Sequence, residues 1–388
     1  MKLEYFAGSK SGKCIKTTGG YCAFIPNPLP PPLKYDKKLI HLLSDADRQI
    51  GELAGTGRLL PNPYFLIRPY IRQEAVSSSR IEGTQTSLSD LFYFEASEQK
   101  RPRASDVLEV NNYVRAMEHG LERVKTLPVS VRLIREIHNI LMEGVRGENR
   151  TPGELRTSQN WIGPPGCTLN DATYVPPPAE EMKRALSDLE KYIHSNPEEP
   201  PLVQCALIHY QFEAIHPFLD GNGRIGRLLI NFFLWERGYL PQPLLYLSSF
   251  FEKYRNEYYS LLLAVSQKTD WRAWLDFFLR GIVVQAQDAI SKAKKILELY
   301  GEYQRILSSS KKIPETSPRL IEEVFSNPVI SISGMSKKWK VPYNSIKTGV
   351  ERLVKIGILR EETSRRRNKL FVAPRLMAIL TEIENEKR

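Results

Sequence analysis

The residues that could do chemistry are concentrated in one short stretch, His216 to Arg227. It reads His-Pro-Phe-Leu-Asp-Gly-Asn-Gly-Arg-Ile-Gly-Arg and leads into an apolar helical run. A histidine whose ordinary pKa is about 6.5 is suited to act as a general base near neutral pH. Asp220 offers a hard oxygen ligand of the kind that Mg²⁺ shares with phosphates. The stretch is therefore typical of a site that holds a nucleoside triphosphate and a metal beside a proton acceptor.

The glycines and arginines of the same stretch favour anion binding. Gly221 and Gly223 permit backbone conformations that bring amides close to a phosphate, and Asn222 adds a side-chain donor. These amides lie at the start of a helix, whose dipole favours an anion. Arg224 and Arg227 are three residues apart, so both face the same side and can clamp further phosphate groups. No Gly-Lys-Ser/Thr follows the glycines, which argues against an ordinary P-loop ATPase.

The neighbouring elements must position this stretch. A helix over about 201–215 precedes it, and Pro217 ends that helix because proline lacks the backbone donor. His216 is therefore expected at the edge of a turn, where its ring can project. Phe218 is expected to point into the core and anchor the loop. The next helix is predicted over Arg224–Arg237.

The complete pattern, His216-Pro-Phe-x-Asp220-Gly-Asn-Gly-Arg224-x-x-Arg227, resembles the signature of the Fic (filamentation induced by cAMP) family without departure. The resemblance spans about residues 37–285. It implies an all-α Fic core, with an N-terminal helical region, that transfers AMP from ATP to a hydroxyl side chain of a protein and releases pyrophosphate. We therefore expect a mainly α protein whose substrates are ATP, used with Mg²⁺, and a target protein.

The resemblance also implies roles for single residues. His216 resembles the base that takes the proton from the target Ser, Thr or Tyr, and Asp220 resembles the Mg²⁺ ligand. The other positions resemble the phosphate-binding groups: Gly221, Asn222 and Gly223 as the anion hole for the α- and β-phosphates, and Arg224 and Arg227 as the groups that hold the β- and γ-phosphates. Other nucleotide donors stay open, because some family members transfer other phosphate-containing groups.

A second pattern, Ser78-x-x-x-Glu82-Gly83, resembles the inhibitory motif of the same family. It is predicted at the end of a helix that runs from about Pro69 to Glu82, with Gly83 after its C-terminus. The resemblance implies that Glu82 pairs with Arg227 and occupies the space that a γ-phosphate needs. We expect this pair to be buried and bidentate, and therefore hard to displace. Some relatives also use this glutamate to remove AMP, which the sequence leaves open.

Two features near the core have alternative interpretations. The segment from Arg156 to Tyr174 is predicted to form a β-hairpin with a long loop, and it resembles the family's flap, which aligns the target's backbone by strand addition. The alternative is a plain surface hairpin. Tyr246, which follows the motif helix, is interpreted either as lining an adenine pocket or as a buried core tyrosine.

The chain is divided by composition and periodicity. Residues 19–35 are rich in Gly and Pro, which predicts an extended arm rather than a core element. Two of the four cysteines, Cys14 and Cys22, lie near it and are expected to be reduced thiols in a mobile segment. Single helices are expected over Phe250–Ser266 and Trp271–Tyr300. The predicted units are an N-terminal arm (1–36), a helical region with the inhibitory helix (37–115), a catalytic core (116–285), a helical linker (286–312) and a winged helix-turn-helix (313–388).

The C-terminal unit carries most of the net charge. Seventeen basic and nine acidic residues lie between Lys311 and Arg388, which places +8 of the net +11 in this segment. Three short helices are followed by a ribbon with a basic turn, Arg365-Arg366-Arg367, and this order is typical of a winged helix-turn-helix. On one interpretation the helix 345–356 enters the major groove of DNA. On the other, the unit is a protein-docking domain with a solvated basic rim.

The whole composition limits the class of protein. The 388 residues are 41% hydrophobic and 26% charged, as in globular proteins. No apolar run reaches the roughly 18–20 residues that span a bilayer, and no signal peptide is apparent at the N-terminus. We therefore expect a cytoplasmic protein with no membrane partner. The alternative to an adenylyltransferase is a DNA-binding regulator in which the Fic core is secondary. The oligomeric state, a homodimer included, stays open.

Overall fold

The computed structural model describes residues 1–59, 62–97, 105–145, 151–240, 243–310, 312–362 and 369–385. The chain is mainly α-helical, as expected. No described helix combines the length and the apolar character that crossing a bilayer requires. The basic turn Arg365–Arg367 lies outside the described residues.

The N-terminal segment is a packed hairpin, so the expected extended, mobile arm was wrong for its first part. Strands β1 (Gly12–Lys16) and β2 (Cys22–Pro26) pair antiparallel, with Cys14 opposite Phe24. Phe24 is fully buried, and its ring lies 5.9 Å from the ring of Tyr174. The burial of this aromatic residue against the core gives the hairpin an anchor that the Gly- and Pro-rich composition did not reveal.

The first four helices form the N-terminal helical region: α1 (Lys37–Arg58), α2 (Tyr64–Ile81), α3 (Leu88–Ala96) and α4 (Ser105–Arg123). Helix α2 begins earlier than predicted and contains Pro69, because the helix start is stabilised by the buried side chains of Phe65 and Leu66. Gly83 follows α2 with a φ of +102°, as its predicted position after the helix requires. Ser87 caps α3 by accepting from the Asp90 amide.

The central helices surround the motif: α5 (Val131–Leu141), α6 (Ala179–His194), α7 (Pro201–Ile215), α8 (Asn222–Glu236), α9 (Ser248–Lys253), α10 (Arg255–Lys268) and α11 (Trp271–Ser309). The single helix expected over Phe250–Ser266 is two helices, which meet at the non-helical Tyr254. Helix α11 continues without a break through the expected linker and packs along α1.

The predicted hairpin after Arg156 is reduced to a single bridge. Ile162 and Tyr174 exchange two backbone hydrogen bonds of 2.9 and 3.0 Å, and turns occupy most of the segment between them. The density of Gly, Pro and Asn in this segment explains why no regular ladder forms.

The C-terminal unit contains α12 (Thr316–Ser326), α13 (Ile332–Trp339), α14 (Tyr343–Lys355) and α15 (Pro374–Asn385). Its sheet has the order β3 (Val329–Ser331), β5 (Leu370–Val372), β4 (Arg360–Glu361), and all pairs are antiparallel. The unit docks on the N-terminal helices: the ring of Phe325 on α12 lies 5.2 Å from that of Phe65 on α2. The assignment as a winged helix-turn-helix stays a prediction.

Candidate active site

His216 lies at the junction between α7 and the motif loop. It adopts the left-handed backbone conformation, with φ 51° and ψ 62°. Its Nδ1 lies 3.2 Å from the carbonyl oxygen of Glu213, and since a carbonyl can only accept, Nδ1 carries the proton. The Nε2 lone pair is then the basic atom. Burial lowers the pKa of His216 to about 4, so the imidazole is neutral at neutral pH.

Phe218 and Asn222 brace the loop that follows. The side chain of Phe218 is fully buried, as expected from the sequence. The Asn222 amide accepts from the Phe218 N–H at 2.8 Å and donates to the Phe218 carbonyl at 2.8 Å. The side-chain donor that the sequence suggested for a ligand is therefore committed to the loop's own backbone. Asn160 Nδ2 donates to the same carbonyl at 2.7 Å.

His138 is a loop-bracing residue that sequence reasoning missed. Its ring stacks on Phe218 with centroids 3.8 Å apart. The Gly153 N–H donates to Nδ1 at 2.8 Å, so the proton is on Nε2, which donates to the carbonyl of Asp220 at 3.1 Å. A lone histidine 78 positions before the motif carries no sequence signal for this contact, because only packing brings α5 to the loop.

Asp220 presents its carboxylate toward solvent. The side chain is 44% exposed, and Oδ1 accepts from the Gly221 N–H at 2.6 Å. The described residues contain no group of three or more His, Cys, Asp or Glu side chains suited to a metal. A single carboxylate is nevertheless the donor set that Mg²⁺ uses when phosphate oxygens and water complete its octahedral shell. Asp220 therefore fits a metal that arrives with a phosphate ligand.

The start of α8 has a geometry that favours an anion. Gly221 precedes the helix with a φ of +76°, a conformation that favours glycine. The first amides of α8 have no acceptor within the helix, and the positive end of the helix dipole lies there. A Cβ added at Gly223 would overlap Oε1 of Glu82. A carboxylate already lies over this helix start.

Arg224 is a buried cation with incomplete pairing. It is 5% exposed, and within the described part of the chain its Nε and Nη1 have no hydrogen-bond acceptor. Its nearest carboxylate oxygens, on Glu109 and Asp220, lie 3.7 and 3.8 Å away. Because a buried donor without an acceptor is costly, this guanidinium is suited to an anion bound at the mouth of the site.

Arg227 is held by α2. It is 1% exposed; its Nε donates to Ser78 Oγ at 2.8 Å, and its Nη2 donates to the Ser78 carbonyl at 3.0 Å and to Glu82 Oε1 at 2.6 Å. The pair with Glu82 is therefore monodentate, and the expected bidentate pair was wrong. Glu82 is also 37% exposed rather than buried. The pair is monodentate because Nε, one of the two donors of a side-on bidentate pair, is directed to Ser78 Oγ, one turn earlier on α2. Desolvation raises the pKa of Glu82, but the charge and the hydrogen bond of Arg227, together with the charge of Arg224, outweigh it, and the net shift of the pKa is downward.

Glu74 anchors α2 one further turn back, and the sequence did not single it out. It is 1% exposed and accepts from the Ser248 amide at 3.0 Å, from the Ser248 hydroxyl at 2.5 Å and from the Tyr113 hydroxyl at 3.1 Å. Glu74, Ser78 and Glu82 are spaced four residues apart, so they share one face of α2. That face fixes the helix against α9, α4 and Arg227.

Tyr246 lies in the core. It is 4% exposed, its hydroxyl donates to the Pro243 carbonyl at 2.7 Å, and its ring stacks on Tyr70 at 6.2 Å. These contacts favour the core alternative over an adenine pocket.

Taken together, the described residues place a neutral imidazole beside a helix start suited to an anion, with two arginines and one exposed carboxylate. This arrangement has the groups needed to deprotonate a hydroxyl next to a polyphosphate. Glu82 lies over the same helix start.

Comparisons with known proteins point to one family. The family model described as Fic/DOC family N-terminal matches residues 40–122, and the model described as Fic/DOC family matches residues 128–234. A curated relative, Protein adenylyltransferase Fic of Drosophila yakuba, is 27% identical over 201 residues, which is 51% of this chain and 34% of that protein. The Drosophila melanogaster protein is 26% identical over the same length. The chain thus matches about a third of the length of these relatives.

Solved structures show the same fold. A Fic family protein from Desulfovibrio desulfuricans has a TM-score of 0.57 and 18% identity, and the match covers 89% of this chain and 98% of that chain. Fic-1 from C. elegans has a TM-score of 0.51 and 20% identity, with 66% and 74% covered.

Proposed function

Because this chain belongs to the Fic family, we propose that it is a protein adenylyltransferase that transfers AMP from ATP to a Ser, Thr or Tyr hydroxyl and releases diphosphate. One observation carries the proposal: the basic Nε2 of a neutral His216 belongs to a loop that leads directly into the anion-binding start of α8. The named adenylyltransferase relatives support it, although they match only part of their length.

The proposed step is an in-line displacement at the α-phosphorus. The target hydroxyl oxygen forms a bond to phosphorus, its proton passes to His216 Nε2, and the bond to the diphosphate oxygen breaks. The amides of Asn222 and Gly223 would hold phosphate oxygens, and Arg224 and Arg227 would offset the charge on the departing diphosphate. Mg²⁺ held by Asp220 would supply further neutralisation of phosphate charge.

We also propose that the site is autoinhibited. Arg227 donates two hydrogen bonds to Ser78 and one to Glu82. The Glu82 carboxylate also lies over Gly223. An ATP γ-phosphate competes with this carboxylate for the same cation. Gly83 adopts a positive φ directly after Glu82, so the chain leaves the helix direction there and the inhibitory segment ends with α2.

The test is transfer of label from [α-³²P]ATP with Mg²⁺ by the Glu82→Gly chain, measured on the chain itself and on lysate proteins. We expect labelled protein, self-modification included, and loss of labelling in Glu82→Gly/His216→Ala. His194→Ala, an exposed histidine at the end of α6, is the matched control. If Glu82→Gly/His216→Ala is labelled as strongly as Glu82→Gly, His216 is not the catalytic base.

The same assay separates the alternatives. Labelling from another nucleotide in preference to ATP would assign a different donor. Release of AMP from a labelled target by the wild-type chain, but not by Glu82→Gly, would add the reverse reaction. Mass spectrometry of the labelled lysate proteins identifies the target.

The second candidate function is DNA binding by the C-terminal unit. It is supported by the docking geometry: α12, α15 and β3 contact the rest of the chain, whereas α14 leaves Tyr343 51% exposed and the Lys347 side chain 50% exposed. Recognition of a major groove requires an exposed second helix in the helix-turn-helix pair, here α13 followed by α14.

Fluorescence anisotropy of labelled duplex DNA with the full chain tests this candidate. We expect binding that weakens steeply with salt and is reduced by Lys347→Ala but not by Lys183→Ala on α6. No binding at low salt would favour the protein-docking alternative.

A further inference from the structure

Arg156 is a buried arginine that the reaction described above does not use. It is 1% exposed, and all of its hydrogen bonds go to backbone carbonyls. Nε donates to the His216 carbonyl at 2.9 Å, Nη1 to that of Ser158 at 3.2 Å, and Nη2 to those of Pro177 and Ile215. Within the described ranges no carboxylate forms an ion pair with it.

The end of α7 explains how this cation is tolerated. The last carbonyls of a helix lack donors within the helix, and the negative end of the helix dipole lies there. Ile215 and His216 provide two such carbonyls, and Arg156 donates to both. A guanidinium at this position is stabilised by the helix end itself, so it needs no acidic partner.

The contact also acts on the conformation of His216. A non-glycine residue in the left-handed region is strained and persists only where surrounding contacts fix it. The His216 carbonyl receives hydrogen bonds from Arg156 and, at 3.3 Å, from Asn160. These two donors hold the peptide group that follows the imidazole-bearing residue.

The charge of Arg156 acts on the same imidazole. Burial is the largest cause of the lowered pKa of His216, and the nearby Arg156 cation lowers it further. The opposing groups are the Glu213 carbonyl on α7, Glu82 on α2 and Asp220 in the motif loop, which favour the protonated form.

We propose that Arg156 is a positioning residue for His216: its guanidinium caps α7, fixes the left-handed backbone at His216 and places a positive charge near the imidazole. The proposal rests on the proposed function for its consequence in catalysis. The effect of Arg156 on the His216 imidazole is measured without any transfer of AMP.

The test compares Arg156→Gln and Arg156→Lys in the Glu82→Gly chain. In Arg156→Gln we expect kcat to fall by about tenfold or more with the KM for ATP within about twofold, because the base is misplaced while the phosphate site is untouched. The ¹H–¹⁵N spectrum of the His216 imidazole, assigned with His216→Ala, should show a titration midpoint above that of the parent, because a cation that lowers the pKa of His216 is lost. Arg156→Lys keeps the charge, so its kcat should fall without that upward shift of the midpoint.

Arg237→Gln is the matched control. Arg237 also donates to two carbonyls at a helix end, those of Ile193 and Ser195, but it lies away from the motif loop. We expect no change in kcat or in the His216 titration. An Arg156→Gln chain with an unchanged kcat or an unchanged titration would overturn the proposal. If that variant does not fold, an unchanged kcat in Arg156→Lys overturns it. A Glu82→Gly parent that labels no protein would refute the proposed function, and the imidazole titration would still test Arg156.

Discussion

Arg227 and Glu82, 145 positions apart in the chain, are joined by a hydrogen bond of 2.6 Å from Nη2 to Oε1. The carboxylate that receives this bond also lies over Gly223 at the start of α8. One side chain thus contacts the buried cation and covers the helix start that we propose as the polyphosphate site. The strength of this contact should govern the activity of the chain.

Replacing Glu82 by glycine removes the competing carboxylate and leaves the end of α2 compatible with its backbone. We expect the rate of AMP transfer to rise by on the order of tenfold or more, because typical coupling free energies between two sites correspond to changes of about this size. Initial rates with [α-³²P]ATP measure the change. Glu143→Gly, after α5, serves as the control and should leave the rate unchanged. A Glu82→Gly chain no faster than wild type would contradict autoinhibition.

Replacing Ser78 by alanine removes only the acceptor for Arg227 Nε. The Ser78 carbonyl and Glu82 still hold Nη2. We expect an increase of about two- to tenfold, which corresponds to the net worth of one hydrogen bond. Combined with Glu82→Gly, the serine variant should add less than it does alone, since both act on Arg227. Independent, multiplicative effects would show that Ser78 acts elsewhere.

The pH dependence of kcat reports the state of His216. Because its pKa is lowered to about 4, the imidazole stays neutral as the pH falls through 6.5 and is protonated only near pH 4. At saturating ATP, the Glu82→Gly chain should have a flat kcat between pH 6 and 8. Loss of Glu82 removes an influence that favours protonation, so the acid limb moves further down. A limb centred near pH 6.5 would show an imidazole in ordinary solvation.

Replacing Glu74 by glutamine should destabilise the fold. The buried carboxylate faces three donors, and an amide nitrogen in its place leaves at least one of them without an acceptor. We expect the free energy of unfolding to fall by about 1–3 kcal/mol, measured by urea titration. Glu257→Gln breaks an exposed pair with Arg280 and should change it by less than about 1 kcal/mol. If the free energy of unfolding falls equally in the two variants, Glu74 does not anchor α2.

Gly226 lies directly against the carboxylate of Glu213. A Cβ added there would overlap Oε1 of Glu213, a buried atom without a hydrogen-bond partner in the described residues, and burial raises the pKa of this carboxyl to about 8. Gly226→Ala should destabilise the chain by about 1–3 kcal/mol, and Glu213→Ala in the same chain should recover part of the loss. Gly51→Ala meets no atom within 4 Å and should be neutral or stabilising. Additive effects would exclude a clash between the two positions.

Local chemistry made part of this structure predictable. Pro217 ends α7, Gly83 follows α2 in the left-handed region and Ser87 caps α3, because each effect operates within a few residues of the chain. The motif itself lies on consecutive residues, so the geometry that we propose for phosphate binding follows from one turn and one helix start. The mainly α fold follows from the same short-range periodicity.

The tertiary structure alone decided how these parts meet. Whether Arg227 donates to one or two carboxylate oxygens depends on where α2 packs, and Ser78 accepts from Nε, one of the two donors that a side-on bidentate pair would use. Arg156 reaches the His216 carbonyl across 60 positions, a contact that no spacing in the chain encodes. The motif predicts a type of chemistry because the sequence states which side chains it contains. Which donor pairs with which acceptor depends on packing between distant helices, because burial and the orientation of the side chains decide these contacts.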